Sequence, residues 1–202
     1  MKKTLLISLI CILTTILYSQ EIKVSVAPTI NAGLHYQFVA GGPRQNLRAG
    51  FTTSFDYLFL QDKKVNFGMG LNYHFSQVEF VPNLNTKNML LHTENVSLIS
   101  IRFKSIYKLK NLFYLSLDPS VDFHLKYESQ QTLGKQTGLG LSIGLGKNIR
   151  IKESVYLNLE PRLWIHNIIP FTEMNNSYHL TTLGLNVGLV FGPKQTDIQT
   201  VK

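Results

Sequence analysis

Apolar and polar residues alternate through eight separate stretches of this chain, and each stretch holds one parity over most of its length. In residues 65–76 the odd positions are Val65, Phe67, Met69, Leu71, Tyr73 and Phe75, and the even ones are Asn66, Gly68, Gly70, Asn72, His74 and Ser76. A period of two marks β-structure, because successive side chains leave opposite faces of a pleated strand. The pattern predicts strands at 22–38, 47–60, 65–80, 95–109, 112–127, 137–149, 155–168 and 180–191. Connections alternate between short (61–64, 110–111, about 150–154) and long (39–46, 81–94, 128–136, 169–179). An even number of strands joined this way implies an all-β fold, an eight-stranded antiparallel up-and-down barrel with its turns at one end and its loops at the other.

The 202 residues suit one domain. Residues 1–19 read as a signal peptide: Lys2 and Lys3, an apolar run from Thr4 to Tyr18, then a small residue at Ser19. The apolar run is shorter than the ~20 residues a spanning helix needs. The expected division is a signal peptide at 1–19, a barrel at 20–192 and a short polar tail at 193–202. Cys11, the single cysteine, lies in the signal, so the exported chain is expected to hold no disulfide and no thiolate chemistry. The net charge of +8 falls to +6 without Lys2 and Lys3. Export and the scatter of the cations argue against nucleic acid, and anionic lipid headgroups are the better counterpart.

The two faces differ in charge. On the first, second and fifth strands the apolar face holds no Asp, Glu, Lys, Arg or His. The opposite faces carry Lys23, His35, Arg48, Asp56, His74, Arg102, Lys104, Asp118, Asp122, His124, Lys126, Glu160, Arg162 and His166, together with ten glycines. A Lys or Arg on a lipid-facing wall costs about 2–4 kcal/mol at mid-bilayer. An eight-stranded lumen has room only for side chains, with small residues offsetting large ones. The apolar faces are therefore expected to look outward into lipid. A soluble lipocalin-like binder would place them inside, where so many bulky side chains do not fit. Aromatic residues fall into two groups, Tyr36, Phe38, Phe51, Tyr73, Phe75, Phe123 and Tyr127 near the loops, and Tyr57, Phe59, Phe67, Tyr107, Phe113 and Phe191 near the turns. Such girdles mark the two interfaces of a bilayer. Pro28, Pro119 and Pro161 each remove a ladder donor in mid-strand, so bulges or local breaks are expected there.

At this point the chain resembles small Gram-negative outer-membrane barrels of the OmpA/OmpX type. The resemblance rests on the signal, the eight alternating strands and the alternating turn lengths. Leu185, Val187, Leu189 and Phe191 resemble the last-strand signal read by the outer-membrane assembly machinery. The resemblance implies the cell outer membrane as location, its lipids and the assembly machinery as partners, and a porin-like or structural role.

Pairing across residues 110–111 places Arg102 and Lys104 beside Asp118. With Asp122, Glu160 and Arg162 these form a predicted ion-pair network that plugs the lumen, since buried charges must be paired. Glycines of the sixth and eighth strands face Trp164 and its neighbours, a packing arrangement more than a ligand cleft. His35, His74, His124 and His166 point inward near the outer end, with His92 and His179 in outer loops. Imidazoles can hold Zn²⁺ or Cu²⁺ when they converge. Strands one, three, five and seven are not neighbours, however, so hydrogen bonding in a wet mouth is the expected state. A lipid A-modifying enzyme would need Ser, His and an acid together at the outer lipid edge, and no such grouping stands in register. The expectation is a non-catalytic barrel without cofactor or metal. It would be structural, adhesive or an accessory subunit of an envelope complex, or else an accessory component of a secretion or assembly machine.

Overall fold

Once each strand presents one apolar and one polar face, a closed sheet is the arrangement that pairs every edge and separates the faces. The computed structural model describes residues 20–35, 44–61, 64–81, 92–127, 133–171 and 178–192. It holds β1 (Glu21–His35), β2 (Arg44–Gln61), β3 (Val65–Val81), β4 (His92–Lys108), β5 (Phe113–His124), β6 (Gly138–Lys152), β7 (Val155–Pro170) and β8 (Tyr178–Phe191). All eight pair antiparallel with their chain neighbours, and β1 closes on β8. The fold class expected from the alternation is the one found. Residues 1–19, expected as a signal peptide, residues 193–202, expected as a tail, and the aromatic positions Tyr36 and Phe38 lie outside the described residues.

Apolar faces look outward. Val24, Val26, Phe55, Leu71, Ile101, Phe103, Leu117, Ile143 and Leu185 are exposed on the outer wall. Leu71 is 51% exposed and its neighbour Asn72 is fully buried, so adjacent residues sit on opposite sides of the wall. Aromatic contacts mark both rims of the belt, Phe51 with Phe75 (5.6 Å between centroids) above and Tyr57 with Phe59 (6.4 Å) below.

Several boundaries move, each for a local reason. Asn111 (φ 58°) and Leu112 (φ 61°) form the centre of the β4–β5 turn, closed by Phe113 N–H donating to Lys110 O at 3.2 Å. Positive φ at both central residues matches the right-handed twist of a two-residue hairpin. Leu112 is thereby a turn residue, and β5 starts one position later than expected. Strand β5 ends at His124, short of the expected 127, while β4 begins at His92 and β2 at Arg44.

The prolines break the ladder locally and leave the register intact. Pro28 pairs with Phe51 of β2, but the β1–β8 ladder runs to Val26–Val187 and resumes at Thr29–Gly184. Pro119 pairs with Leu141, while the β4–β5 ladder passes from Arg102–Ser120 to Ser105–Leu117. Pro161 pairs with Leu185, while the β6–β7 ladder passes from Gly144–Arg162 to Lys147–Leu159. Each ring keeps one side and gives up the other, as the missing N–H requires. Beside Pro119 the Asp118 carboxylate accepts the Ser105 backbone N–H at 3.3 Å, covering part of the gap. Register shifts fall elsewhere, between Leu47 and Gly50, Leu58 and Leu60, Leu139 and Leu141, and Arg150 and Lys152.

Candidate functional site

The inward face divides into levels along the barrel. Next to the turn end, Leu58, Ile106 and Tyr114 form a small apolar floor. Directly above it lies a network of seven ionic side chains from five strands. Lys23 Nζ donates to Glu160 Oε2 at 2.6 Å and to the Tyr114 hydroxyl at 3.2 Å. Arg162 holds Glu160 Oε1 through Nη2 at 2.6 Å and Asp118 through Nη1. Arg102 bridges Asp118 at 2.9 Å and Asp56. Lys104 Nζ lies 2.8 Å from Asp56 and 3.6 Å from Asp118. None of the seven side chains is more than 4% exposed.

Asp118 is the hub, within reach of Arg102, Lys104 and Arg162. Ser116 Oγ adds to the network by donating to Glu160 Oε1 at 2.7 Å, and Arg162 Nη2 lies 2.8 Å from it. Two glycines make the crowding possible. A Cβ on Gly144 would stand 2.6 Å from Glu160 Oε1 and 2.8 Å from Ser116 Oγ, and one on Gly70 would strike Asp56 and approach Arg102 Nη2 to 2.9 Å. Charged side chains this large fit only where the facing strand has no side chain.

Five of the six residues singled out in the sequence, Arg102, Lys104, Asp118, Glu160 and Arg162, are brought together. Asp122 stands one level higher and apart from them. Its Oδ2 lies 3.0 Å from His166 Nδ1, and its Oδ1 accepts from Ser120 Oγ at 2.9 Å. Lys23 and Asp56 were read as inward but not as members of the network. Their partners lie on strands far off in sequence, a proximity that β-alternation does not encode.

At the level of Asp122 the rings of His74 and His166 meet edge to face, 4.6 Å between centroids, with Trp164 5.6 Å from His74. His74 Nδ1 is 2.8 Å from Thr52 Oγ1, and its Nε2 lies 3.2 Å from Asn72 Nδ2. Both ring nitrogens of His74 thus have a hydrogen-bonding partner on a neighbouring side chain. His124 sits elsewhere, accepting the Gln136 backbone N–H at 3.2 Å. His179 belongs to β8 rather than to a loop, and its Nδ1 donates to the Asn167 carbonyl at 2.6 Å. His92 likewise opens β4. Among the described residues no three His, Cys, Asp or Glu side chains gather in a metal-binding arrangement.

The outer mouth reverses the pattern. Val78, Phe80, Val96, Leu98, Leu133, Tyr178 and Leu180 pack inward into one apolar cluster, with Phe80 and Tyr178 edge to face at 5.8 Å. At the same height Gln77 and Asn95 face outward and hydrogen-bond each other at 3.0 Å. Gln136, fully buried, ties the segment before β6 across the mouth. Its amide donates to Tyr178 O at 2.8 Å and to Leu133 O at 3.0 Å, and its Oε1 accepts Leu180 N–H at 2.9 Å. Leu133 N–H in turn donates to Glu94 Oε2 at 3.0 Å. The sequence signal for this cap was present but weak: in β3 and β4 the apolar residues move to the polar parity at the loop ends.

No known family model matches the sequence, and no curated protein matches it by sequence. Solved structures do match in shape. The chain is similar to the outer membrane protein OprG from Pseudomonas aeruginosa, with a TM-score of 0.52 and 13% identity over 86% of this chain and 95% of that one. Superpositions on outer membrane protein AlkL (TM-score 0.48, 11% identity, 90% of this chain and 93% of that one) and on Ail of Yersinia pestis (0.40, 14%, 86% and 99%) are looser. The OprG likeness shows the fold, that of a small outer-membrane β-barrel. The exposed apolar belt on a closed sheet places such a barrel in the outer membrane.

Proposed function

We propose that this protein is a non-catalytic, plugged outer-membrane barrel that acts through its surfaces. It would serve as a structural or adhesive element, or as an accessory subunit of an envelope complex. One observation carries this reading: the interior is occupied at two successive levels, by the network centred on Asp118 and by the apolar cap closed over by Gln136. An ion entering the lumen would have to displace paired charges and then cross an apolar layer, and neither level offers it a hydrated path. The hydrogen-bonding roles of His74 and His166 account for those side chains without a substrate.

The test is conductance across a planar bilayer holding the purified, folded barrel. The reading expects no stepwise current at moderate voltage. Steady channels, or uptake of a small polar solute into liposomes, would overturn it. Folding is checked beforehand by faster migration of the unboiled sample on a denaturing gel.

A further inference from the structure

The turn end of the barrel carries a charge that neither the plug nor the cap uses. Among the described residues its hairpins expose Lys64, Lys110, Lys147, Arg150 and Lys152 against one exposed acid, Glu153. At the loop end the described cations Arg48, Lys126 and Lys135 stand with Glu79 and Glu94, so the charge is nearly balanced. There, moreover, Arg48 is paired with Glu79. The excess of positive charge is thus confined to the end with the short turns, which in outer-membrane barrels is the periplasmic one.

We infer that this basic collar is a docking surface for anionic phospholipid headgroups of the inner leaflet. Position is the first argument. Lys147 does not point to the periplasm; it stands on the outer wall, at the lower edge of the apolar belt, with its ammonium 4.7 Å from the centre of the Phe113 ring. Its strand neighbours on that wall, Leu145 and Ile149, are exposed hydrophobics that face lipid. A soluble acidic partner would have to enter the bilayer margin to reach that ammonium, whereas a lipid phosphate already lies there. Ile151, 55% exposed, lies between Arg150 and Lys152 at the exposed end of the same strand, so cations and a hydrocarbon side chain stand close together there. Long basic side chains at such a margin lay their stems along apolar surface and lift their charge to the headgroups.

Rigidity is the second argument. The turns are hydrogen-bonded to one another around the rim. Lys108 N–H donates to Lys64 O at 2.7 Å, Asn148 N–H to Leu112 O at 3.1 Å and Gly192 N–H to Ser154 O at 3.1 Å. The cations are therefore mounted on a fixed ring, and the backbone pays little further ordering cost when a headgroup binds. Among the described residues Glu153 is the one exposed acid at this end.

The experiment reconstitutes the full mature chain into nanodiscs of phosphatidylcholine with a minor share of phosphatidylglycerol and measures the lipids retained by native mass spectrometry. The folded protein should retain phosphatidylglycerol over phosphatidylcholine by about fivefold or more, the effect of roughly one well-placed cation near an anionic surface. The triple variant Lys147→Gln, Arg150→Gln, Lys152→Gln should fall below about twofold. A control variant at the loop end, Lys126→Gln with Lys135→Gln, should keep the full preference. All three proteins are first required to show the heat-modifiable gel shift. Equal retention of the two lipids by the parent chain would overturn the proposal. So would undiminished preference in the triple variant, or retention of an acidic periplasmic protein in place of lipid.

Discussion

Seven ionised side chains fill the lumen where the outer wall is most apolar, and seven apolar side chains fill it where the outer wall is polar. Within β3 the reversal takes six residues: Leu71 faces out and Asn72 in, then Gln77 faces out and Val78 in. The difference teaches that a barrel strand obeys two solvents in succession. Level with hydrocarbon, the outside takes the apolar residues and the inside is left to polar ones, which must satisfy each other. Beyond the membrane the strand meets water on its outer face, and the inner face can close as the core of a soluble sheet does. Ionic contacts are directional and fail when one partner is lost, whereas apolar packing can partly collapse around a deletion.

The sharpest way to break the comparison is to remove the hub. Asp118→Ala leaves Arg102, Arg162 and Lys104 sharing the remaining carboxylates, and its cost should be about 3–5 kcal/mol of folding stability. Urea titration in detergent, followed by the gel shift, reads it. A loss under about 1 kcal/mol would show that the buried charges are solvated from within. In the cap, Leu180→Ala should cost less, about 2 kcal/mol, because the mouth borders water and can settle. Hydrogen exchange should then report faster opening at the loop ends of β3, β4 and β8, with the amides around Asp118 unchanged. Uniform acceleration would mean that the two levels are one cooperative unit. The smallest effect belongs to the rim pair of Arg48 and Glu79, in which the arginine is about half exposed. Glu79→Gln should cost at most about 1 kcal/mol, and high salt should erase the difference.

Much of this was legible beforehand. Alternation located all eight strands, and the charge-free faces told which side meets lipid. Arg102, Lys104 and Asp118 could be set together because they flank one short hairpin, where register follows from the turn. Asp122 was assigned to the same network because parity reports the face and not the height. Tilted strands raise it to the level of His166 instead. Conversely Asp56 and Lys23 were inward by parity, but nothing local tied them to Arg102 and Glu160.

The sequence by itself determined the strand count, the meander, the outward hydrocarbon face and the pairing across tight turns. Each depends on nearest neighbours and on a period of two, which the chain carries in every short window. Tertiary structure alone decided which charges share a level, that Gln136 and Leu133 fold back over the mouth, and that His74 meets His166 while His124 does not. Those outcomes depend on strand tilt and on closure of β1 against β8. Closure brings together residues more than a hundred positions apart, and no local pattern records the stagger at which the sheet meets itself.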